Sequence, residues 1–203
     1  MSRLAWPVML VALTGAVGAG CGPDRVAAPD FSKVDLPTFP ADPSGFVSQI
    51  DNPYLAFAPG RVFRYRSETA DGVETNVVEV TTRTKRILGI VATVVHDQGY
   101  LDGVLVEDTF DWYAQDTQGN VWYLGEDSRQ LQNGVVVGTE GSWEAGVNGA
   151  SAGLIMLAQP KAGVQYQQEF AAGVAEDMAK VLSLSATAEV VYGAFTGCLK
   201  TEE

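Results

Sequence analysis

From residue 61 onward, hydrophobic and polar residues alternate in short runs separated by turn residues. Residues 61–69 (RVFRYRSET) set Phe63 and Tyr65 against Arg64 and Arg66, the period of a half-buried strand. Asp71-Gly72 separates this run from residues 73–82 (VETNVVEVTT), and Asp-Gly between two alternating runs marks a tight hairpin because both residues tolerate positive φ. The same chemistry recurs. Asp102-Gly103 divides residues 87–100 from 104–115, Gly119-Asn120 divides that strand from 121–125, and Asn133-Gly134 divides 128–132 from 135–142. Strands joined in order by tight turns pair antiparallel, so the pattern predicts an all-β up-and-down meander, a strongly curved sheet or a partly open barrel.

Residues 172–184 fit two periods. Val174, Met178, Val181 and Leu182 follow helical spacing, while the stretch from Lys180 alternates like a strand; the reading is a short helical turn over 173–177 running into a strand. Residues 188–191 and 195–201 then make a last hairpin about Tyr192-Gly193-Ala194, with Val190, Val191, Phe195 and Leu199 expected in the interior.

The amino end has a different character. One Arg (Arg3) precedes the apolar run LAWPVMLVALTGAVGA, and small residues stand ahead of Cys21, the layout of a secretory signal. Gly18-Ala19-Gly20-Cys21 resembles the lipobox of bacterial lipoproteins, with Gly18 where a branched aliphatic residue is usual; cleavage after Ala19 is the rival. Residues 22–43 are rich in Pro and Asp and lack periodicity, as a solvated spacer would be. The expected organisation is a signal peptide at 1–20, a spacer at 21–45 behind a lipidated Cys21, and one β domain at 46–203. This makes the chain exported: a membrane-anchored lipoprotein of the cell envelope, or a secreted protein if Cys21 is not used.

Of 203 residues, about 160 then remain, enough for one full core. The net charge of −12 repels phosphate backbones, so nucleic acid is not an expected partner. With Cys21 lipidated, Cys198 has no partner for a disulfide or a Cys-based metal site.

Four stretches, DNPYLAFAPGRVFRY (51–65), EDTFDWYAQDTQGNVWYLGED (107–127), GSWEAGV (141–147) and VVYGAFTGCLKTEE (190–203), resemble a group of bacterial secreted proteins and lipoproteins of uncharacterised activity. In that group the chain continues for a few more strands, so the resemblance implies that the β domain lacks its last strands and that residues 195–201 form an uncovered edge. It implies compartment and fold, and transfers no activity.

Chemistry-bearing residues concentrate between Glu107 and Glu144. Glu107 and Asp111 share a strand face about 13 to 14 Å apart at ~3.4 Å per residue, beyond the spacing of a glycosidase pair. A carboxylate-dependent hydrolase acting on envelope glycans would use Glu107, Asp111 and Glu144, with a partner from another strand among Glu126, Asp127 and Glu140. Residues 116–120 (DTQGN) lack the ligand order of a calcium loop and read as a turn. His96, the single histidine, cannot build a multi-histidine zinc site and is expected to face the polar side or pair locally. No cofactor, metal or catalytic motif is predicted.

The aromatic residues lead further. Phe63, Tyr65, Phe110, Trp112, Trp122 and Tyr123 are expected to line the concave face of the sheet and accommodate an apolar or amphipathic ligand, in a non-catalytic binding or structural role. A protein-interaction module without a small ligand is the remaining alternative.

Overall fold

The computed structural model describes residues 36–203; the expected signal, Cys21 and the first part of the spacer lie outside the described residues. The domain is all-β, an antiparallel meander with a strongly curled half-barrel sheet. Its strands are β1 (Val62–Thr69), β2 (Gly72–Ile87), β3 (Ile90–Leu101), β4 (Val104–Gln115), β5 (Val121–Gln132), β6 (Val135–Gly138), β7 (Trp143–Glu144), β8 (Ser151–Met156), β9 (Gln165–Gln167), β10 (Glu169–Phe170), β11 (Met178–Val190) and β12 (Gly193–Glu202). The large sheet runs β1-β2-β3-β4-β5-β8-β10, with β6 and β7 also on β5, and a second sheet runs β12-β11-β9.

Three local departures from the sequence pattern have physical reasons. The run at 87–100 is broken by a two-residue turn at Leu88-Gly89, both at positive φ (50° and 82°), which closes β2 onto β3; Leu88 is not a turn residue and hides the hairpin. Residues 121–132 form one strand, because Gly125 occupies a bulge in β5 and not a turn. The helical turn expected at 173–177 is absent: an Ala171–Ala175 bridge closes a tight turn there, with Gly173 at φ 70°. The only helical turn among the described residues is a 3₁₀ turn, Pro43–Gly45, capped by Asp42 Oδ1 accepting from Ser44 N.

Residues 36–45, within the expected spacer, lie against the domain. The Phe39 ring packs edge-on to Trp122 (5.1 Å) and against Phe46 (5.5 Å). At the other end, among the described residues, β12 pairs with one strand, β11. Leu199 packs against the core as expected, whereas Val191 and Phe195 are exposed because the tip of the β11–β12 hairpin projects from the sheet.

Asp116 fixes the 116–120 turn. It is buried, and its Oδ1 accepts from the amides of Gln118 and Asn120 (both 2.9 Å) while Oδ2 accepts from Asn120 Nδ2 (3.0 Å) and Trp122 Nε1 (2.9 Å). Asn120 Oδ1 in turn accepts from Ala158 N, and Asn52 Nδ2 donates to the carbonyls of Gly119 and Leu157. One carboxylate thus fixes the β4–β5 hairpin, the indole of Trp122 and the end of β8. Asp116→Ala would strand these buried donors and is expected to lower stability by about 3 kcal/mol. Urea unfolding measures this; a loss under about 1 kcal/mol would contradict the assignment.

Candidate functional site

Residues opposite one another in an antiparallel ladder share a face, so the register sorts the side chains. Phe63, Val78, Asp97, Thr109 and Ser128 form one row, and Tyr65, Asn76, Gly99, Glu107 and Gln130 the next. Asp111 and Tyr113 continue this face, the Asp111 face. Arg64, Val77, Gln98, Asp108 and Arg129 make a row of the opposite face, which also carries His96, Phe110, Trp112 and Trp122.

The six aromatic candidates therefore divide. Phe63, Tyr65 and Tyr123 lie on the Asp111 face; Phe110, Trp112 and Trp122 lie on the other and do not join them. There Lys85 Nζ sits 3.1 Å over the Trp112 ring, Arg83 lies over Phe110, and Trp122 belongs to a cluster with Leu154, Tyr166 and Val181. His96 stacks on Phe110 (4.3 Å between centroids) and its Nε2 lies 2.6 Å from Asp108 Oδ1, the local pairing expected of it. The carboxylate trio does not converge either. Glu144 is turned to Lys85 (2.7 Å) beside Trp112, away from Asp111.

Asp111 instead meets Glu126, its cross-strand partner. A bulge between these pairs gives β5 one residue more than β4: Asp111 opposes Glu126 and Tyr113 opposes Tyr123. The odd spacing from Tyr123 to Glu126 would put them on opposite faces of a regular strand; the extra residue brings both to the Asp111 face. Gly125 makes this possible. Its φ is +128°, and a Cβ there would stand 2.2 Å from the Trp143 carbonyl oxygen.

The Tyr123 hydroxyl lies 2.6 Å from Asp111 Oδ1 and 3.0 Å from Glu126 Oε2. A phenol carries one hydrogen, so it donates to one carboxylate and needs a donor from the other. Either acid can carry that second proton, since the hydroxyl lies within donating distance of both. Burial, then the charge of Glu169, pushes Glu126 up to about 8, against the lowering effect of the Tyr123 hydroxyl that donates to it. Burial also holds Asp111 well above the usual carboxylate range, with Glu126 adding to it. Tyr123 and Tyr113, stacked at 4.7 Å, are raised by burial and then by Asp111.

Glu107 and Asp97 continue outward along this face. Glu107 accepts from Ser128 Oγ (3.2 Å) and Thr109 Oγ1 (3.3 Å), and its carboxyl is raised by burial. Asp97 is raised to about 6 by burial, against the lowering effect of the Asn76 amide that donates to it. On β10, burial and then Asp177 push Glu169 up to about 8. The Trp143 indole packs edge-on to Tyr123 (5.3 Å), and its buried Nε1 has no acceptor. Among the described residues no group of His, Cys, Asp or Glu has the arrangement of a metal site. A separate cleft of about 240 Å³ lies between Leu36, Pro37, Asn120, Leu157 and Lys161, and none of the six aromatic candidates lines it.

No family model, curated protein or solved structure matches the chain. The geometry alone carries the functional argument.

Glu107 and Asp111 were legible in the sequence; Glu126 was legible only as one partner among several, and Glu169 and Asp97 gave no signal, because neighbours across strands are invisible without the register. The raised acids make stability depend on pH. An unfolded chain releases the Glu126 proton near 4.5 and the folded chain near 8, so in that window the folded state binds more protons and stability falls as pH rises. The melting temperature is expected to drop from pH 5 to pH 8.5, and Glu126→Gln, which mimics the protonated form, should flatten that slope and raise the melting temperature at pH 8.5. An unchanged slope in the variant would remove Glu126 from the account.

Proposed function

We propose that this is a non-catalytic binding domain of the bacterial cell envelope, exported and anchored through Cys21, that accommodates an amphipathic ligand on the Asp111 face. The observation that supports the reading is the half-buried edge formed by Phe63 and Tyr65 beside Asn76, Asp97 and Glu107, an apolar surface adjoining polar groups on one sheet face. Asp97 is close enough to add to the raised ionisation of Tyr65, after burial. Such a junction suits a ligand with an apolar body and a polar or cationic head. The carboxyls of this face supply the partners for such a head.

Dodecylamine, followed by displacement of a fluorescent naphthalene probe, tests this. Phe63→Ala and Tyr65→Ala are each expected to weaken binding about 5- to 30-fold, the loss of one aromatic contact of ~1–2 kcal/mol. Phe110→Ala, on the opposite face, should leave it unchanged. Binding lost equally in all three variants, or unaffected by any, would refute the assignment of the face.

A further inference from the structure

The cleft beside the β4–β5 hairpin is built from walls tied to one another. The turn at 117–120 forms one wall, and residues 157–159, after β8, form the next. Asn120 Oδ1 accepts from Ala158 N (2.9 Å), and Asn52 Nδ2 donates to the carbonyls of Gly119 (2.9 Å) and Leu157 (3.2 Å), so the two walls are fixed relative to each other. The third wall, Leu36 and Pro37, runs on to Phe39, whose ring packs on Trp122. Val164 completes the lining: its amide donates to the Lys161 carbonyl (3.1 Å), and its own carbonyl accepts from Val181 N on β11 (2.8 Å). A site held in this way needs little ordering when a ligand enters.

The lining differs in charge from the rest of this acidic chain. Among the described residues no Asp or Glu lines the cleft, although the chain carries 25 of them, and one cation, Lys161, does. The Lys161 ammonium and the side chains of Gln118 and Gln159 have no hydrogen-bond or ion-pair partner among the described residues. The carboxylate of the turn, Asp116, is buried and taken up by its four donors. We propose that the cleft is a second binding site, for a small carboxylate on a short unbranched apolar chain. The carboxylate meets Lys161, the amides of Gln118 and Gln159 donate to its remaining lone pairs, and the chain lies against Leu157 and Val164. One cation matches one negative charge, whereas a phosphate monoester, at about two charges, would leave one unmatched. An apolar cavity of about 150 Å³ takes benzene, so the 240 Å³ of this cleft has room for a chain of about six carbons. The cleft shares no lining residue with the Asp111 face, so the proposal does not rest on the ligand reading above, and its ligand carries the opposite charge.

Hexanoate added to the nitrogen-15-labelled full chain tests this by NMR, with hexanol and hexylamine as matched controls. Amides of residues 118–120 and 157–164 are expected to shift on titration with hexanoate, with a dissociation constant of about 1 mM or tighter. Hexanol should bind about tenfold more weakly, and hexylamine more weakly still. Lys161→Met, which keeps the apolar stem and removes the charge, should weaken hexanoate about tenfold and leave hexanol unchanged. Lys161→Glu should reverse the order and favour hexylamine over hexanoate. Lys161 is exposed, so both variants are expected to keep the fold. No shifts at these amides, equal affinity for hexanoate and hexanol, wild-type hexanoate binding in Lys161→Met, or a Lys161→Glu chain that still prefers hexanoate overturns the proposal.

Discussion

A single extra residue in β5 organises this domain. The bulge at Gly125 turns Tyr123 and Glu126 to the same face, and only a glycine fits between that strand and the carbonyl of Trp143. Without the bulge, Glu126 would point to the side of Trp112 and Lys85, where a cation could neutralise it. With it, the carboxyl lies opposite Asp111, and the charged neighbours that act on it most are the acids Glu169, Glu107 and Asp177. Bulges commonly re-aim side chains in this way beside functional sites.

The two faces of the curled sheet handle charge differently for the same reason. On the Trp112 side, carboxylates have basic partners: Lys85 pairs with Glu144 and Arg129 with Asp127, and His96 hydrogen-bonds Asp108. On the Asp111 side, carboxyls are satisfied by neutral donors: Thr109, Ser128, Asn76 and Tyr123. Neutral donors stabilise a buried carboxylate less than a cation does, so burial dominates and the acids are raised. At Asp116, four donors converge on one buried carboxylate in a turn.

Much of the fold was legible because Asp-Gly and Asn-Gly turns stand between alternating runs, and local chemistry suffices to place hairpins at 71–72, 102–103 and 133–134. The Leu88-Gly89 hairpin was hidden since Leu carries no turn signal, and the helical spacing at 174–182 was overridden by pairing of Ala171 with Ala175. The site was less legible. A bulge breaks the period of two on which face assignment from sequence depends, so Trp122 and Tyr123 could not be sorted correctly relative to Phe63 and Tyr65. Gly125 in LGED reads as a turn residue, and its actual role is set by Trp143, 18 positions away, which no local pattern encodes.

The central claim is that Glu126 holds a proton in the folded protein. Carbon-13 NMR of selectively labelled glutamate side chains, with the Glu126 signal assigned by its loss in Glu126→Gln, follows that proton directly through a titration from pH 3 to pH 10. The account predicts a midpoint near 8 for Glu126, far above its ordinary 4.5. A midpoint near 4.5 would show Glu126 to be an ordinary carboxylate in the folded protein, and the account would fail.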